Sequence, residues 1–469
     1  MKISRTPLAA SLFLALAMGA PAAAQTLEET LAAAYQSNPV LAAERARLRQ
    51  TEEGFYQARA GRLPSISAGA DIGDGTSWGP GTGSSAPIVD EDGNPIPGTG
   101  TGGGGSSAPD LSYSVSASQP LYRGGRIDGN IDAAIARIEA ARAGLLSVEQ
   151  QVLLDAIAAH MNIVRDTQVV SIRRNNVEVL NEQLRASRDR FEVGEITRTD
   201  VAQAEAAVAA AQAQLSAAQA QLAASRAQYE RVVGVQALEV QAPDSLPALP
   251  ESLGMAAETA TVRNPAIISA QYQEEAARQQ VRIARGALLP EASLTASASE
   301  SRQSDFTGRA RGSASIGARV SVPIFTGGLN RSQVRQAQAG VDEARLLIVS
   351  ARRNVIEDVT NAWNDYLTAQ AVIESSREAV RANEIAFEGV EQEALVGLRT
   401  TLDVLQTQQT LLDSRLQLVQ AERDLQVAAY VLRQAIGSLY AESLGLPVDV
   451  VRQTREFDNS FMPGDLWGR

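Results

Sequence analysis

Cysteine is absent from all 469 residues of the chain, which excludes disulfides, thiolate catalysis and zinc bound by cysteine. Histidine occurs once, at His160, and a metal site would need further close ligands. A packed or solvated imidazole is therefore the preferred interpretation. No G-x-S-x-G, H-E-x-x-H or P-loop motif is present either. The sequence therefore predicts no catalytic residue, no metal, no cofactor and no enzyme activity.

Long apolar runs are also missing: beyond the N-terminus, no stretch approaches the ~20 apolar residues that a membrane-spanning helix needs. Lys2 and Arg5 precede an apolar run over 8–20 and small residues at 22–24, which predicts a secretory signal peptide over 1–24. Export predicts a location in the periplasm or the outer membrane. A lipoprotein is excluded, because its lipid would need a cysteine. The net charge of -12 disfavours nucleic acid as a partner.

Proline is missing from two long intervals, 121–242 and 324–446, which are rich in helix-forming residues. In the second half of each interval, apolar and small residues follow an unbroken 3-4 spacing, which predicts left-handed packing of long helices. The first seam contains Val201, Ala204, Val208, Ala211, Leu215, Ala218, Leu222, Ser225, Tyr229 and Val232. The second contains Val404, Thr407, Leu411, Ser414, Leu418, Ala421, Leu425, Ala428, Leu432 and Ala435.

A Val-Gly pair interrupts each proline-free interval, at Val193-Gly194 and at Val396-Gly397. The chain is expected to reverse there, with a threonine (Thr197 in the first interval, Thr400 or Thr401 in the second) capping the returning helix. The first arm, about residues 126–192, would reach ~100 Å at 1.5 Å per residue. Each interval therefore predicts a long helical hairpin.

The chain is duplicated in tandem. Asn38-Pro39 recurs as Asn264-Pro265, Leu63-Pro64 as Leu289-Pro290, Pro120-Leu121-Tyr122-Arg123-Gly124-Gly125 as Pro323-Ile324-Phe325-Thr326-Gly327-Gly328, and Gly194 as Gly397. The offset is 226 up to the second motif (264 − 38, 290 − 64) and 203 from the third (323 − 120, 397 − 194), so the first copy carries 23 extra residues. We expect two structural units side by side.

The duplication predicts the following domain organisation: a signal peptide at 1–24; a first repeat at 25–236 with a β-hairpin at 64–122 and a helical hairpin at 126–233; a linker at 237–250; a second repeat at 251–437 with a β-hairpin at 290–325 and a helical hairpin at 329–436; and a C-terminal equatorial segment and tail at 438–469. The extra residues map to a Gly-rich loop at 73–110, which is expected to be flexible. Within it, Gly98 to Gly103 matches G-x-G-x-x-G through composition alone.

Short segments of strict alternation lie between the helices. Leu111, Tyr113, Val115 and Ala117 alternate with serines, and the even-numbered residues from Ala310 to Val322 alternate with mostly polar ones. Segments of about ten residues with one apolar and one polar face are typical of transmembrane β-strands, although a soluble β-hairpin on a helical body remains an alternative.

The strand number predicts an oligomer. Four strands cannot close a membrane barrel, and an open edge in hydrocarbon would leave backbone groups unsatisfied. Several chains must therefore share one barrel, and three copies supply 12 strands.

These duplicated motifs, in this order, resemble the TolC family of outer-membrane efflux ducts over almost the whole mature chain. The resemblance implies a mainly α fold with a pair of transmembrane β-hairpins. Tandem-duplicated long α-helical hairpins would form a trimeric α-barrel continuous with a 12-stranded outer-membrane β-barrel. It also implies these partners: two further copies of the chain, outer-membrane lipid, a periplasmic adaptor, and an inner-membrane pump that is either a proton-driven drug exporter or an ATP-driven exporter. The predicted function is an exit duct for drugs, metabolites or secreted proteins.

Family analogy places a gate at the periplasmic mouth, formed by Thr199 and Asp200 in the first repeat and by Arg399 and Asp403 in the second. Arg399 would link neighbouring hairpins through charge-assisted hydrogen bonds, and Asp403 would form a ring of three carboxylates. The alternative is that both aspartates only complement helix dipoles. Val193, Gly194, Val396 and Gly397 at the turns are predicted to dock the adaptor.

Two positions depart from the family pattern near the gate. Gln406 stands where a second acid often occurs, and Ala394 stands where an aromatic occurs, so a different constriction is expected. Two other functions stay open: a trimeric adhesin anchored in the outer membrane, and an enzyme of polysaccharide or lipid export.

Overall fold

The computed structural model describes residues 25–76, 107–237, 239–243, 245–303, 310–449 and 457. Within this part of the chain, no helix combines the length and the apolar character needed to cross a membrane. The predicted signal peptide, the middle of the Gly-rich loop at 77–106, and most of the tail beyond 449 lie outside the described residues.

Helices and strands follow one another in the same order twice. The elements are α1 Leu27–Ser37, α2 Pro39–Ala60, β1 Ser65–Thr76, β2 Ser107–Arg123, α3 Arg126–Glu192, α4 Arg198–Val233, α5 Leu253–Arg263, α6 Pro265–Gly286, β3 Glu291–Gln303, β4 Ala310–Ser321, α7 Leu329–Leu395 and α8 Thr401–Ala435. The long helices α3 and α7 have 67 residues each. The returning helices α4 and α8 have 36 and 35. The sequence duplication is therefore also a duplication of elements.

The described chain forms two compact units. The first contains 25–48, 140–271 and 347–449, and therefore α1, α4, α5, α8 and both helical turns. The second contains the residues from 49 to 139 and from 272 to 346 that the structure describes, together with 457, and holds all four strands.

The core of the first unit is built on the predicted seams. Every residue of both seams is buried or half-buried, so the prediction that these residues pack is confirmed. One core cluster joins α1, α3 and α4 around Leu153, Ile157 and Tyr229, all fully buried. Another joins α5, α7 and α8 around Val359 and Leu432. Packing of these apolar side chains is the main source of stability for helices of this kind.

The duplicated Asn-Pro motif joins helices in the first unit. Asn38 ends α1 in extended backbone, as a residue before proline prefers, and Pro39 begins α2. The Asn38 amide donates to the carbonyl of Val232 at 2.8 Å, and its oxygen accepts from the Val40 N–H at 2.9 Å. Asn264 repeats the arrangement in the second copy, donating to Ala435 at 2.9 Å. The motif therefore caps one helix and ties it to the end of another.

The second unit contains one antiparallel sheet in the order β1-β2-β3-β4. Ser67, Ser116, Ser297 and Ser315 form a row across it. The hydroxyl oxygens are 2.7 Å apart between Ser67 and Ser116 and 2.9 Å apart between Ser297 and Ser315. We call the face that carries this row the serine face. The opposite, apolar face carries the row Ala68, Val115, Ala298 and Ala314. Side chains of one strand alternate between faces, so both faces are as predicted.

The bounds of both hairpins differ from the prediction. Residues 73–76 and 107–110 were assigned to the Gly-rich loop, but they pair with each other in β1 and β2, from Gly73 opposite Asp110 to Thr76 opposite Ser107. Backbone pairing continues there because it needs no particular side chain. The second hairpin is shorter than the predicted 290–325, since β4 ends at Ser321. Pro323 follows, and proline has no N–H to donate to a strand ladder.

Candidate functional site: the two helical turns

Each long helix reverses direction at a Val-Gly turn. Gly194 has φ 81° and Gly397 has φ 79°, a left-handed conformation that glycine adopts without steric cost. A Cβ atom at either position would meet no atom within 4 Å, so only the backbone conformation requires glycine. The valines before them, Val193 and Val396, are 72% and 71% exposed. The turns therefore present apolar side chains to their surroundings.

A capping box begins the helix that follows each turn. In the first turn, the Asp200 Oδ2 atom accepts from the Thr197 N–H at 2.9 Å and from the Thr197 hydroxyl at 2.7 Å. In the second, the Asp403 Oδ2 atom accepts from the Thr400 N–H at 3.0 Å and from its hydroxyl at 2.8 Å. In return, each threonine oxygen accepts from the aspartate N–H. The predicted Thr197 cap is confirmed, and Thr400 rather than Thr401 caps α8.

These hydrogen bonds stabilise the charged form of both aspartates. The side-chain hydroxyl and the N–H of Thr197 lower the pKa of Asp200 below its ordinary value. The N–H of Thr400 and then its hydroxyl lower the pKa of Asp403. Both carboxylates are therefore negative at neutral pH.

Arginine pairs with glutamate across each turn. The Arg190 Nε atom lies 3.0 Å from the Glu195 Oε2 atom in the first turn, and Arg399 Nε lies 2.8 Å from Glu393 Oε2 in the second. The hydrogen bond and the charge of Glu393 raise the pKa of Arg399. Neither glutamate is marked by a sequence pattern, because each lies five or six residues from its arginine and other acids are equally near in the sequence.

The predicted gate residues lie where the sequence places them, at the beginning of the returning helices. Within one chain, Asp200 and Asp403 are held by their capping threonines, Arg399 is held by Glu393, and Thr199 is exposed. No contact joins Arg399 to Asp200 in the described part of the chain. Such a contact would require a neighbouring copy, and the gate assignment stays a prediction.

Polar side chains connect the first helical hairpin to the second through α3 and α8. This ladder has four rungs: Gln151 with Gln434 at 3.0 Å, Asn162 with Arg423 at 3.0 Å, Arg165 with Gln420 at 3.3 Å and Asn176 with Gln408 at 3.0 Å. The rungs advance along α3 as they recede along α8, as antiparallel neighbours require. Sequence reasoning missed them because polar residues on a helix are usually read as a solvated face.

His160 belongs to the core. It is fully buried, with Nδ1 2.9 Å from the Thr30 hydroxyl and Nε2 2.8 Å from the carbonyl oxygen of Gln241. Tyr229 lies 3.0 Å from the same hydroxyl. Burial lowers the pKa of His160, so the imidazole is neutral. The packed alternative is therefore correct, and no group of three acidic or histidine side chains in the described chain is arranged to hold a metal.

Comparison with known proteins gives matches across both repeats. A family model described as outer membrane efflux protein matches residues 30–235 and 256–438. The chain is 35% identical over 431 residues to the outer membrane efflux protein BepC of Brucella suis biovar 1, covering 92% of this chain and 89% of that protein.

More distant proteins also match. The chain is 26% identical over 313 residues to the outer membrane protein TolC of Escherichia coli K12, covering 63% of each protein. The crystal structure of the outer membrane protein VceC from Vibrio cholerae superposes with a TM-score of 0.68 at 21% identity, covering 88% of this chain and 96% of that one. At this identity, the superposition shows that the fold is similar.

Proposed function

The chain belongs to the outer membrane efflux protein family, and on this premise we propose that it is the exit duct of a tripartite export system. Its place is the outer membrane, with a helical tunnel in the periplasm, and its role is transport. In the proposed system it receives drugs, metabolites or secreted proteins from an inner-membrane pump through a periplasmic adaptor. The pump is either a proton-driven drug exporter or an ATP-driven exporter.

The four-stranded sheet carries the proposal. Its apolar face suits lipid, and its serine face suits water. In the part of the chain that the structure describes, only β2 and β3 have a strand on both sides, so the sheet has two edges with unpaired backbone groups. In hydrocarbon, such groups cost several kcal/mol each, about the cost of removing a polar group from water. A closed barrel of 12 strands from three copies removes both edges.

The surface of the second repeat supports the same stoichiometry. Helix α7 leaves apolar side chains uncovered on one face: Leu346, Val349 and Ile356, spaced by three and seven residues, are 70%, 46% and 40% exposed. Contiguous apolar surface of this kind usually marks an interface. In the proposed trimer, α7 packs against a helix of the neighbouring copy, and six helical hairpins enclose the tunnel.

The Val-Gly turns form the proposed mouth. Exposed Val193 and Val396 are the proposed adaptor contacts, with Gly194 and Gly397 holding the backbone in its turn. Thr199, Asp200, Arg399 and Asp403 are the proposed gate. In a trimer, the charged Asp403 carboxylates would lie close together and attract cations.

Conductance of the purified protein in a planar lipid bilayer tests the proposal. We expect stepwise channels of uniform size, and a mass in detergent of three chains. A trimeric protein without conductance would favour an anchored adhesin, which family membership does not favour, and a monomer without conductance would refute the duct. Isolation of the native protein after cross-linking should also yield an adaptor and an inner-membrane pump.

A further inference from the structure

The two outer strands of the sheet lack a neighbour in one chain. Among the described residues, β1 pairs only with β2, and β4 pairs only with β3. Every residue of β4 is exposed, in agreement with its place at the edge. Two antiparallel edges of the same sheet, one from each of two copies, can satisfy each other, and the internal duplication determines how they align.

Both hairpins have the same register once the duplication is applied. Ser65 pairs with Ser118 in the first hairpin, and Glu291 pairs with Ser321 in the second. The differences are 291 − 65 = 226 and 321 − 118 = 203, which are the two offsets between the sequence repeats. Strand β3 is therefore the structural equivalent of β1, and β4 is the equivalent of β2, residue by residue.

The junction between the repeats then predicts the junction between copies. Within the chain, Ser116 of β2 pairs with Ser297 of β3. The equivalent of Ser116 is Arg319 of β4 (116 + 203), and the equivalent of Ser297 is Asp71 of β1 (297 − 226). In the barrel of the proposed duct, β4 lies beside β1 of a second copy, and we propose that these two strands pair in the register that places Arg319 opposite Asp71. This proposal rests on the proposed function, since it specifies how the copies of that duct join.

The charges of the two edges fit this register. Asp71 and Arg319 lie on the serine face, and neither side chain forms an ion pair or hydrogen bond with any described residue of its own chain. A slip of one residue would turn the serine face of one strand toward the apolar face of the other. A slip of two would place Arg319 opposite Gly69 or Gly73, without a charge. Opposite charges directly across a strand pair are stabilising.

The residues after β4 give a second, independent indication. In the first repeat, the strand continues through Pro120 to Arg123, because Tyr122 has Ala292 of β3 beside it. In the second repeat, the strand stops at Ser321, and the next large side chains, Ile324 and Phe325, are 95% and 89% exposed. The proposed register gives this segment the missing neighbour, namely the beginning of β1 from the second copy.

Engineered disulfides can test the register, because the chain contains no cysteine of its own. The proposal places Ala70 opposite Val320 and Gly69 opposite Ser321. Neighbouring pairs alternate between narrow and wide Cα spacing, so one of the two suits a disulfide. We expect A70C/V320C or G69C/S321C to give covalent dimers and trimers on mild oxidation in the outer membrane. The control I72C/V320C is displaced by two residues, so its thiols are diagonal and out of reach.

The outcomes separate the register from the proposed function. Cross-linking of the control pair without the two proposed pairs, in a protein that is still trimeric, would overturn the register and leave the duct intact. A trimer that is cross-linked by no pair would overturn pairing through these edges. A monomer in detergent would overturn both proposals.

Charge exchange gives a second readout that involves no disulfide. R319D should place two acids opposite each other and lower the temperature at which the trimer dissociates in detergent. Adding D71R should restore that temperature, because it re-forms the pair in reverse. Equal dissociation temperatures in R319D and in the R319D/D71R variant would contradict the pairing.

Discussion

Helices α3 and α7 are equivalent in the duplication and equal in length, but their surroundings differ. Leu153 of α3 is fully buried, whereas Ile356, its equivalent in α7 (153 + 203), is 40% exposed. Ala143 of α3 is buried at 3% exposure, and its equivalent, Leu346, is 70% exposed. The same face of the helix is thus packed within the chain in the first repeat and open in the second.

The difference shows which repeat needs a partner. Around α3, the other helices of the chain supply the contacts, including the fully buried group formed by His160, Thr30 and Tyr229. Around α7, one side remains apolar and uncovered in the described chain, and Leu346 stands there where α3 carries the smaller Ala143. An exposed apolar side of this kind usually marks an interface, and in the proposed trimer the open side of α7 faces a second copy.

The largest expected effect comes from truncation of equivalent residues. Leu153→Ala removes a fully buried side chain and should cost about 2–5 kcal/mol of unfolding free energy. Ile356→Ala should change the stability of the chain itself by about 0.5 kcal/mol or less, as surface substitutions do. It should instead raise the protein concentration needed for trimer assembly.

Circular dichroism on heating and a dilution series of the trimer measure the two effects separately. An equal decrease of the unfolding temperature in both variants, or unchanged assembly in Ile356→Ala, would contradict the proposed difference between α3 and α7. Leu346→Ser, on the same open helix, should weaken assembly in the same way.

The Val-Gly turns should respond alike in both repeats. Replacing Gly194 and Gly397 with valine would put each valine in the left-handed conformation of the turn, which costs an L-residue roughly 1–2 kcal/mol. We expect the double variant to lose export, since the turn is the proposed adaptor contact, and to assemble normally. Gly389→Ala is the control, because Gly389 lies inside α7 with open space around it and favours no special conformation.

Export is measured by drug susceptibility of cells and assembly by the trimer band in detergent. Normal export in the double variant would contradict the docking assignment. A loss of trimer would show instead that the turns are needed for folding.

Much of the fold follows from the sequence because the signals are periodic and occur twice. The seam from Val201 to Val232 is predicted by heptad spacing, and the two faces of β2 by strict alternation. The ends of the strands are harder to predict from the sequence. Residues Gly73 to Thr76 have a composition typical of a loop, but they pair with the backbone of β2. The sequence contains no local signal for that pairing.

The site was predictable in position but not in its contacts. Thr197 and Asp200 form a recognisable capping pattern, so the start of α4 could be predicted. The pairing of Arg399 with Glu393 could not be predicted, because several acidic residues lie within a few positions of this exposed arginine on both sides. The hydrogen bonds between α3 and α8 depend on which faces of these two helices meet. The helices are far apart in the sequence, and the pattern of one helix does not indicate which face the other will contact.

The gate pair is expected to have a smaller effect than the turns. Arg399→Ser with Asp200→Ala should raise single-channel conductance several-fold, because three copies of a lost contact together shift an open-closed equilibrium. Arg188→Ser is the matched control, because Arg188 pairs with Glu205 at 2.7 Å and both residues belong to the first hairpin. Parental conductance in the double variant would leave Arg399 and Asp200 as helix-end charges with local partners.

The smallest expected effect is the pH dependence of cation block, and it distinguishes the two aspartates. Both aspartates have a pKa below the ordinary 3.8, so each carboxylate is charged at any pH above 3.8. It loses its charge only when the pH falls through its lowered pKa. If Asp403 forms the carboxylate ring, block of the channel by a multivalent cation should persist from neutral pH to about 3.8 and fade below it.

Asp403→Asn keeps an oxygen for the Thr400 cap but removes the charge, and it should weaken block at every pH in this range. Asp200→Asn, the equivalent change in the first repeat, should leave block nearly unaltered. Equal loss of block in both variants, measured as current against cation concentration in planar bilayers, would show that the two repeats contribute alike at the mouth and that their difference is confined to α3 and α7.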